Sequence, residues 1–205
     1  DIASNPLMLT MMVSLYVSNN FVVISNRSEL YEKALQTLMG RTDKHRAGLG
    51  QASQAELFEH LQKLASASHG REGERRIFTA TLASEWAGPK GWAAIKRAVQ
   101  NGWLPIIVQL GLNDKDEEEY RFGHMSYQEY LTGRGYYRKL TASHFSANTM
   151  VELFGKEPQN AFADVKYHLV LELLAGILSL EQRATCLAVM AGGRVEEATV
   201  TAKAA

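Results

Sequence analysis

The sequence predicts a mainly α-helical chain: a helical bundle, then a winged-helix domain with a β-hairpin wing, then further helices. Three observations carry that expectation. Helix starts recur as Ser or Asn followed three residues later by Glu or Gln, the spacing of a capping box. Behind those starts, apolar residues return every three or four positions, the period of one helix face. One short β-branched stretch breaks the rhythm, and a charged turn separates it from a second strand-like run.

Taken in order, Asn5 before Pro6 reads as an N-cap followed by a first-turn proline. The apolar run Leu7 to Val17 is far short of the roughly 20 residues a bilayer span needs, so it reads as a helix buried on most sides. Asn26 with Glu29 opens a helix whose face is Leu30, Ala34 and Leu38. Arg41 to Gln51 is polar, contains Gly48 and Gly50, and reads as a linker. Ser53 with Glu56 opens a third helix, with Leu57, Leu61, Leu64, Ala65 and Ser68 on one side.

A compact helix is expected from Trp92 to Asn101, stopped by Gly102. Ile106–Leu110 should then pair with Tyr120–Phe122, leaving the acidic run Asn113 to Glu119 as an exposed tip. Ser126 with Glu129 should cap the next helix. A late helix from Lys166 to Leu178 carries Val165, Leu169, Leu173 and Ile177 on its apolar face, and Ser179 with Gln182 starts another. The expected organisation is residues 1–50 as a helical domain, 51–140 as a winged helix, and 141–205 as the start of a second helical domain.

Composition narrows the chemistry. A 46% hydrophobic content over 205 residues suits a globular core. With 22 basic and 22 acidic residues, the formal net charge of zero gives no polyelectrolyte signal for nucleic acid or an anionic membrane. Cys186 is the sole cysteine, which excludes an internal disulfide and a paired-cysteine zinc site. Its apolar helical setting suggests a buried, inert thiol in a reducing, cytoplasmic compartment. The opening Asp1-Ile2-Ala3-Ser4 carries neither Met nor a basic leader, as expected of a fragment of something longer. No phosphate loop, GxGxxG, HExxH, EF-hand loop or G-x-S-x-G elbow is present, and the six histidines show no metal-ligand spacing. No metal site and no catalytic residue are expected, so the chain by itself reads as a non-enzyme.

Three blocks nevertheless resemble one family. Asn5-Pro6-Leu7-Met8-Leu9-Thr10 resembles the NPLLL segment that follows the nucleotide-binding domain of NACHT proteins. Asn26-Arg27-Ser28-Glu29-Leu30-Tyr31-Glu32-Lys33-Ala34-Leu35 resembles their RxELYExAL helix. Tyr120-Arg121-Phe122-Gly123-His124-Met125-Ser126-Tyr127-Gln128-Glu129-Tyr130-Leu131 resembles their YRFxHxSFQEYLAA segment, and Lys166 to Leu178 is similar to the LLAGLL helix that often follows. Thr132-Gly133 departs from the usual Ala-Ala, Gly133 and Gly135 each weaken a helix by up to about 1 kcal/mol relative to Ala, and Tyr127 stands for the commoner Phe.

The resemblance implies the regulatory part of a STAND-class signalling NTPase, lying after a P-loop domain that binds most of an ADP or ATP ligand. Within such a lid, Pro6 would pack against the adenine base and His124 would contact a phosphate of bound ADP, holding the off state. The implied partners are the chain's own P-loop domain and, on activation, further copies of itself, with no membrane. Two other classes stay open on the residues alone. A winged helix can bind DNA through the helix before the wing, but Trp92–Asn101 offers only Lys96 and Arg97 and the wing tip is acidic, which disfavours duplex binding. A helical protein-interaction adaptor without a nucleotide role is the third.

Overall fold

The computed structural model describes residues 6–18, 26–46, 54–71 and 76–192. It is mainly helical with one small antiparallel sheet, and its contacts divide the chain into two compact units, Asp1–Leu131 and Thr132–Ala205.

The first unit begins with α1 (Pro6–Ser18), α2 (Arg27–Arg46) and α3 (Gln54–Gly70). Asn26 caps α2, its Oδ1 accepting from the Glu29 amide at 2.9 Å. That helix continues to Arg46, so Arg41 onward is helix where a linker is expected. The run from Arg41 to Arg46 holds neither Gly nor Pro, and an established helix propagates cheaply through such residues. Gly48, Gly50 and Ser53 lie outside the described residues. In α3 the expected stripe is realised, with Leu57, Leu61, Leu64, Ala65 and Ser68 all fully buried.

A short strand, β1 (Ile77–Thr79), follows and leads directly into α4 (Ala80–Ala87), whose N-cap is Thr79. The next helix, α5 (Pro89–Gln100), starts three residues before the expected Trp92 because Gly88-Pro89 supplies a first-turn proline. It ends as Gly102 predicts. Gly102 adopts φ 69°, and the Gly102 and Trp103 amides return to the Val99 and Ala98 carbonyls at 2.9 and 2.8 Å, the double bond of a Schellman stop.

The hairpin joins β2 (Ile107–Leu112) to β3 (Glu118–Phe122), with Ile107 opposite Phe122, Val108 opposite Arg121 and Gln109 opposite Tyr120. Its tip is shorter than expected. Asn113 Oδ1 accepts from the Lys115 and Glu117 amides at 2.9 and 3.0 Å, closing the turn early, so Glu118 and Glu119 belong to the strand. Pairing of β1 with β3 completes a sheet of order β1-β3-β2. Its inner face is aromatic: Phe78 stacks on Tyr120 and meets Phe122 at 5.7 Å, while Trp92 from α5 strikes Tyr120 edge-on at 4.8 Å.

The unit closes with the first turns of α6 (Met125–Ala142), fixed by three side chains. Tyr130 stacks on Tyr31 of α2 at 5.6 Å, and Tyr127 meets the same ring edge-on at 5.9 Å. The Tyr130 hydroxyl donates to the Glu32 carboxylate. Gln128 is fully buried and donates from Nε2 to Ser68 Oγ of α3 at 2.8 Å.

The second unit continues α6 and adds α7 (Ala147–Phe154), a 3-10 helix (Pro158–Phe162), α8 (Val165–Ile177) and α9 (Leu180–Met190). Its core is built from Leu140, Phe145, Met150, Val170 and Leu174 with neighbouring buried residues. A Cβ at Gly133 would lie 3.4 Å from the Val170 carbonyl and 3.5 Å from the Leu174 amide, ordinary contact distances, so α6 and α8 approach closely there with room for a methyl group but not for a larger side chain. The buried face of α8 is Val170, Leu173 and Leu174. Of the expected face only Leu173 is fully buried, and Val165 is 78% exposed, because Val165 is the first helical residue and lies beyond the α6 contact. The Ser179–Gln182 capping box is present with both reciprocal bonds. Cys186 is buried, and burial pushes its thiol up to about 11.

Candidate functional site

The junction between β3 and α6 holds the residue that the sequence singles out, His124. The chain is aimed there by the sheet. The Gly123 amide donates to the Ile106 carbonyl at 2.8 Å, and a Cβ on Gly123 would press on the Pro105 carbonyl at 3.3 Å. A glycine therefore lets the end of β3 lie close against the start of β2, and His124 follows immediately, half-buried.

His124 is itself the cap of α6. Its Nδ1 accepts from the Ser126 amide at 3.2 Å, and its carbonyl accepts from the Tyr127 amide at 3.2 Å. This corrects the assignment of Ser126 as the cap. The helix begins at Met125, two residues earlier than that assignment allows, and Ser126 is a buried first-turn residue.

Capping also fixes the chemistry of the ring. With Nδ1 committed as an acceptor, the neutral imidazole carries its proton on Nε2. Burial lowers the pKa of His124 below the usual histidine value, and the Arg76 charge lowers it further. At neutral pH the ring is an uncharged Nε2–H donor, rather than the charge-assisted donor that a protonated imidazole would be. It still stands at a helix N-terminus, where the backbone dipole favours an anion.

Pro6 is the first residue of α1, and its side chain lies outside the described residues, so the structure bears on His124 alone of the two sequence candidates. The blocks that point to the site meet in space. Tyr31 and Glu32 from one engage Tyr127 and Tyr130 from another, while Gln128 locks onto Ser68 of α3. These are docking residues that hold the start of α6 in place. The spacing of Tyr127 and Tyr130, three apart on one helix face, was the available signal for that role.

Arg76, whose charge acts on the His124 ring, lies outside every sequence motif. The Phe122 amide donates to its carbonyl at 3.2 Å, continuing the β1–β3 register by one step and bringing Arg76 to the same end of the sheet. Among the described residues no cluster of His, Cys, Asp and Glu could hold a metal ion, and no helix is long and apolar enough to cross a membrane. No family model, curated protein or solved structure gives a significant match to this chain.

Proposed function

We propose that this chain is the nucleotide-sensing lid of a NACHT-type signalling NTPase, with residues 51–140 as a winged helix. In this reading a separate P-loop domain binds most of the ADP or ATP. Pro6 packs against the base, and His124 donates to a phosphate and holds the ADP-bound off state until the lid opens for self-assembly. The observation that carries the reading is His124 itself. It is a half-buried histidine at a strand–helix junction, its inner nitrogen spent on capping and its outer N–H the donor that remains for a ligand in this reading.

The element order supports the winged-helix part. Helix, strand, helix, helix and hairpin, with sheet order β1-β3-β2, is the arrangement in which the helix before the hairpin packs beneath the wing. A DNA-binding role draws less support, since Lys96, one of the two cations within the expected Trp92–Asn101 helix, is paired with Glu118 of the wing.

The test is His124→Asp in the parent protein that carries the P-loop domain. Aspartate retains an N-cap acceptor but repels phosphate. Loss of bound ADP and spontaneous assembly, at unchanged thermal stability, is the expected result. Wild-type ADP retention and assembly in that variant would remove the sensor role.

A further inference from the structure

We propose that Arg76 is a second anion-binding side chain of the His124 site, so that a diphosphate is held between a guanidinium and a neutral imidazole N–H. The inference rests on the phosphate-contact reading of His124. Three observations carry it. The Phe122 amide bond to the Arg76 carbonyl sets Arg76 opposite the end of β3, two residues before His124. Cross-strand partners share a sheet face, so Arg76 lies on the face of Phe122, while Arg121, paired with Ile77, lies on the other. Both Arg76 and His124 are part-exposed, and the charge of Arg76 acts on the imidazole.

The chemistry divides naturally between the two groups. His124 cannot take up a proton on Nδ1 without losing the Ser126 bond, so it contributes direction and no charge. A guanidinium is permanently charged and presents a fork that matches phosphate oxygens. An anion beside both would also reverse the field at the ring, so binding should raise the His124 pKa.

The experiment titrates this chain with inorganic pyrophosphate and reads the His124 imidazole by NMR across pH, in wild type, Arg76→Gln, Arg76→Lys and Lys166→Gln, a control from the second unit. Pyrophosphate should shift the His124 signals and raise its pKa in wild type and in the control. Arg76→Gln should weaken binding about tenfold, the scale of one charge-assisted hydrogen bond, and Arg76→Lys should fall between. Without ligand, Arg76→Gln should also raise the His124 pKa, since the guanidinium charge acts on the ring; the loss of pyrophosphate affinity is what separates an anion-binding arginine from a structural one. Equal pyrophosphate affinity in wild type and Arg76→Gln overturns the role of Arg76 and leaves His124 standing. A His124 signal that pyrophosphate does not move in any variant overturns both. Should Arg76→Gln unfold the chain, the lysine variant decides: wild-type affinity there, with wild-type His124 pKa, excludes a guanidinium-specific contact and overturns the proposal.

Discussion

Replacing His124 separates its capping role from any ligand. His124→Leu removes the Nδ1 acceptor and leaves the Ser126 amide, on a buried residue, without its partner. Losing an N-cap acceptor costs about 1 kcal/mol, within a range of roughly 0.5–2. In a domain of this size that is a fall of about 2–4 °C in melting temperature. His124→Asp restores the acceptor and adds a negative charge at the helix start, worth about 0.3–1 kcal/mol. The expected order of stability at pH 8 is therefore aspartate at or above wild type, and leucine below both. A pH arm adds a second check. The pKa of His124 is lowered on folding, so the unfolded chain binds the proton more readily. Its contribution is fully present above the ordinary histidine value of about 6.5 and is lost as pH falls toward the lowered value. Between pH 8 and 5.5, wild type should lose more stability than His124→Leu, and the other histidines cancel in the difference. Calorimetric melts of the three proteins measure both effects. Equal stability of the leucine and aspartate variants at pH 8 would refute the cap, and equal pH slopes for wild type and leucine would refute the lowered pKa.

Tyr130→Phe removes the hydroxyl that donates to Glu32; because that carboxylate is partly exposed, the expected loss is about 1 kcal/mol by urea denaturation, with far-UV circular dichroism unchanged. Phe78→Ala opens the aromatic face of the sheet, where Phe78 is 1% exposed, and should cost about 3–5 kcal/mol; a loss below 1 kcal/mol would mean that the four-ring contact is not the core. Gly133→Ala should be neutral or slightly stabilising, since its Cβ meets α8 at 3.4 Å, whereas Gly133→Leu drives a branched side chain into that backbone and should cost about 1–3 kcal/mol; equal stability of the two variants would deny the close approach.

Much of the fold was legible where local chemistry decides it. Asn26, Ser179 and Gly102 end their helices as their side chains or positive φ dictate. The hairpin was legible because a β-branched run and a second, aromatic strand-like run flank a charged turn. Strand β1 was not, because three residues between two helices give no alternation to read and its only support is pairing with distant Tyr120 and its neighbours. The face of α8 was misjudged for a related reason. Val165, Leu169, Leu173 and Ile177 make a good four-residue period, but the chain buries the side of α8 that Gly133 admits, and no local pattern reports where another helix has a gap. The turn from α6 to α7 hides in the same way. His144 and Phe145 both adopt positive φ, and their amides close a helix stop on Thr141 and Leu140 without the glycine that would announce it. Burial of Phe145 in the second core offsets the strain.

The site shows the same division between local and distant signals, with one inversion. His124 was legible by its neighbours in sequence, but capping is expected there of Ser126 and a phosphate contact of the histidine. The helix starts two residues earlier, and that shift exchanges the roles. Ser126 becomes a buried first-turn residue, and the imidazole takes over the cap. A histidine that caps through Nδ1 gives up that bond when the same nitrogen is protonated. The charge needed to hold an anion must then come from elsewhere, and the register of β1 against β3 brings Arg76 to that end of the sheet. Arg76 belongs to none of the three blocks that resemble a family, because what places it is a strand of three residues that the sequence does not announce. In the proposed reading, a phosphate contact at this junction would depend on the β1–β3 pairing as much as on His124, and loosening β1 should weaken it with every motif residue intact.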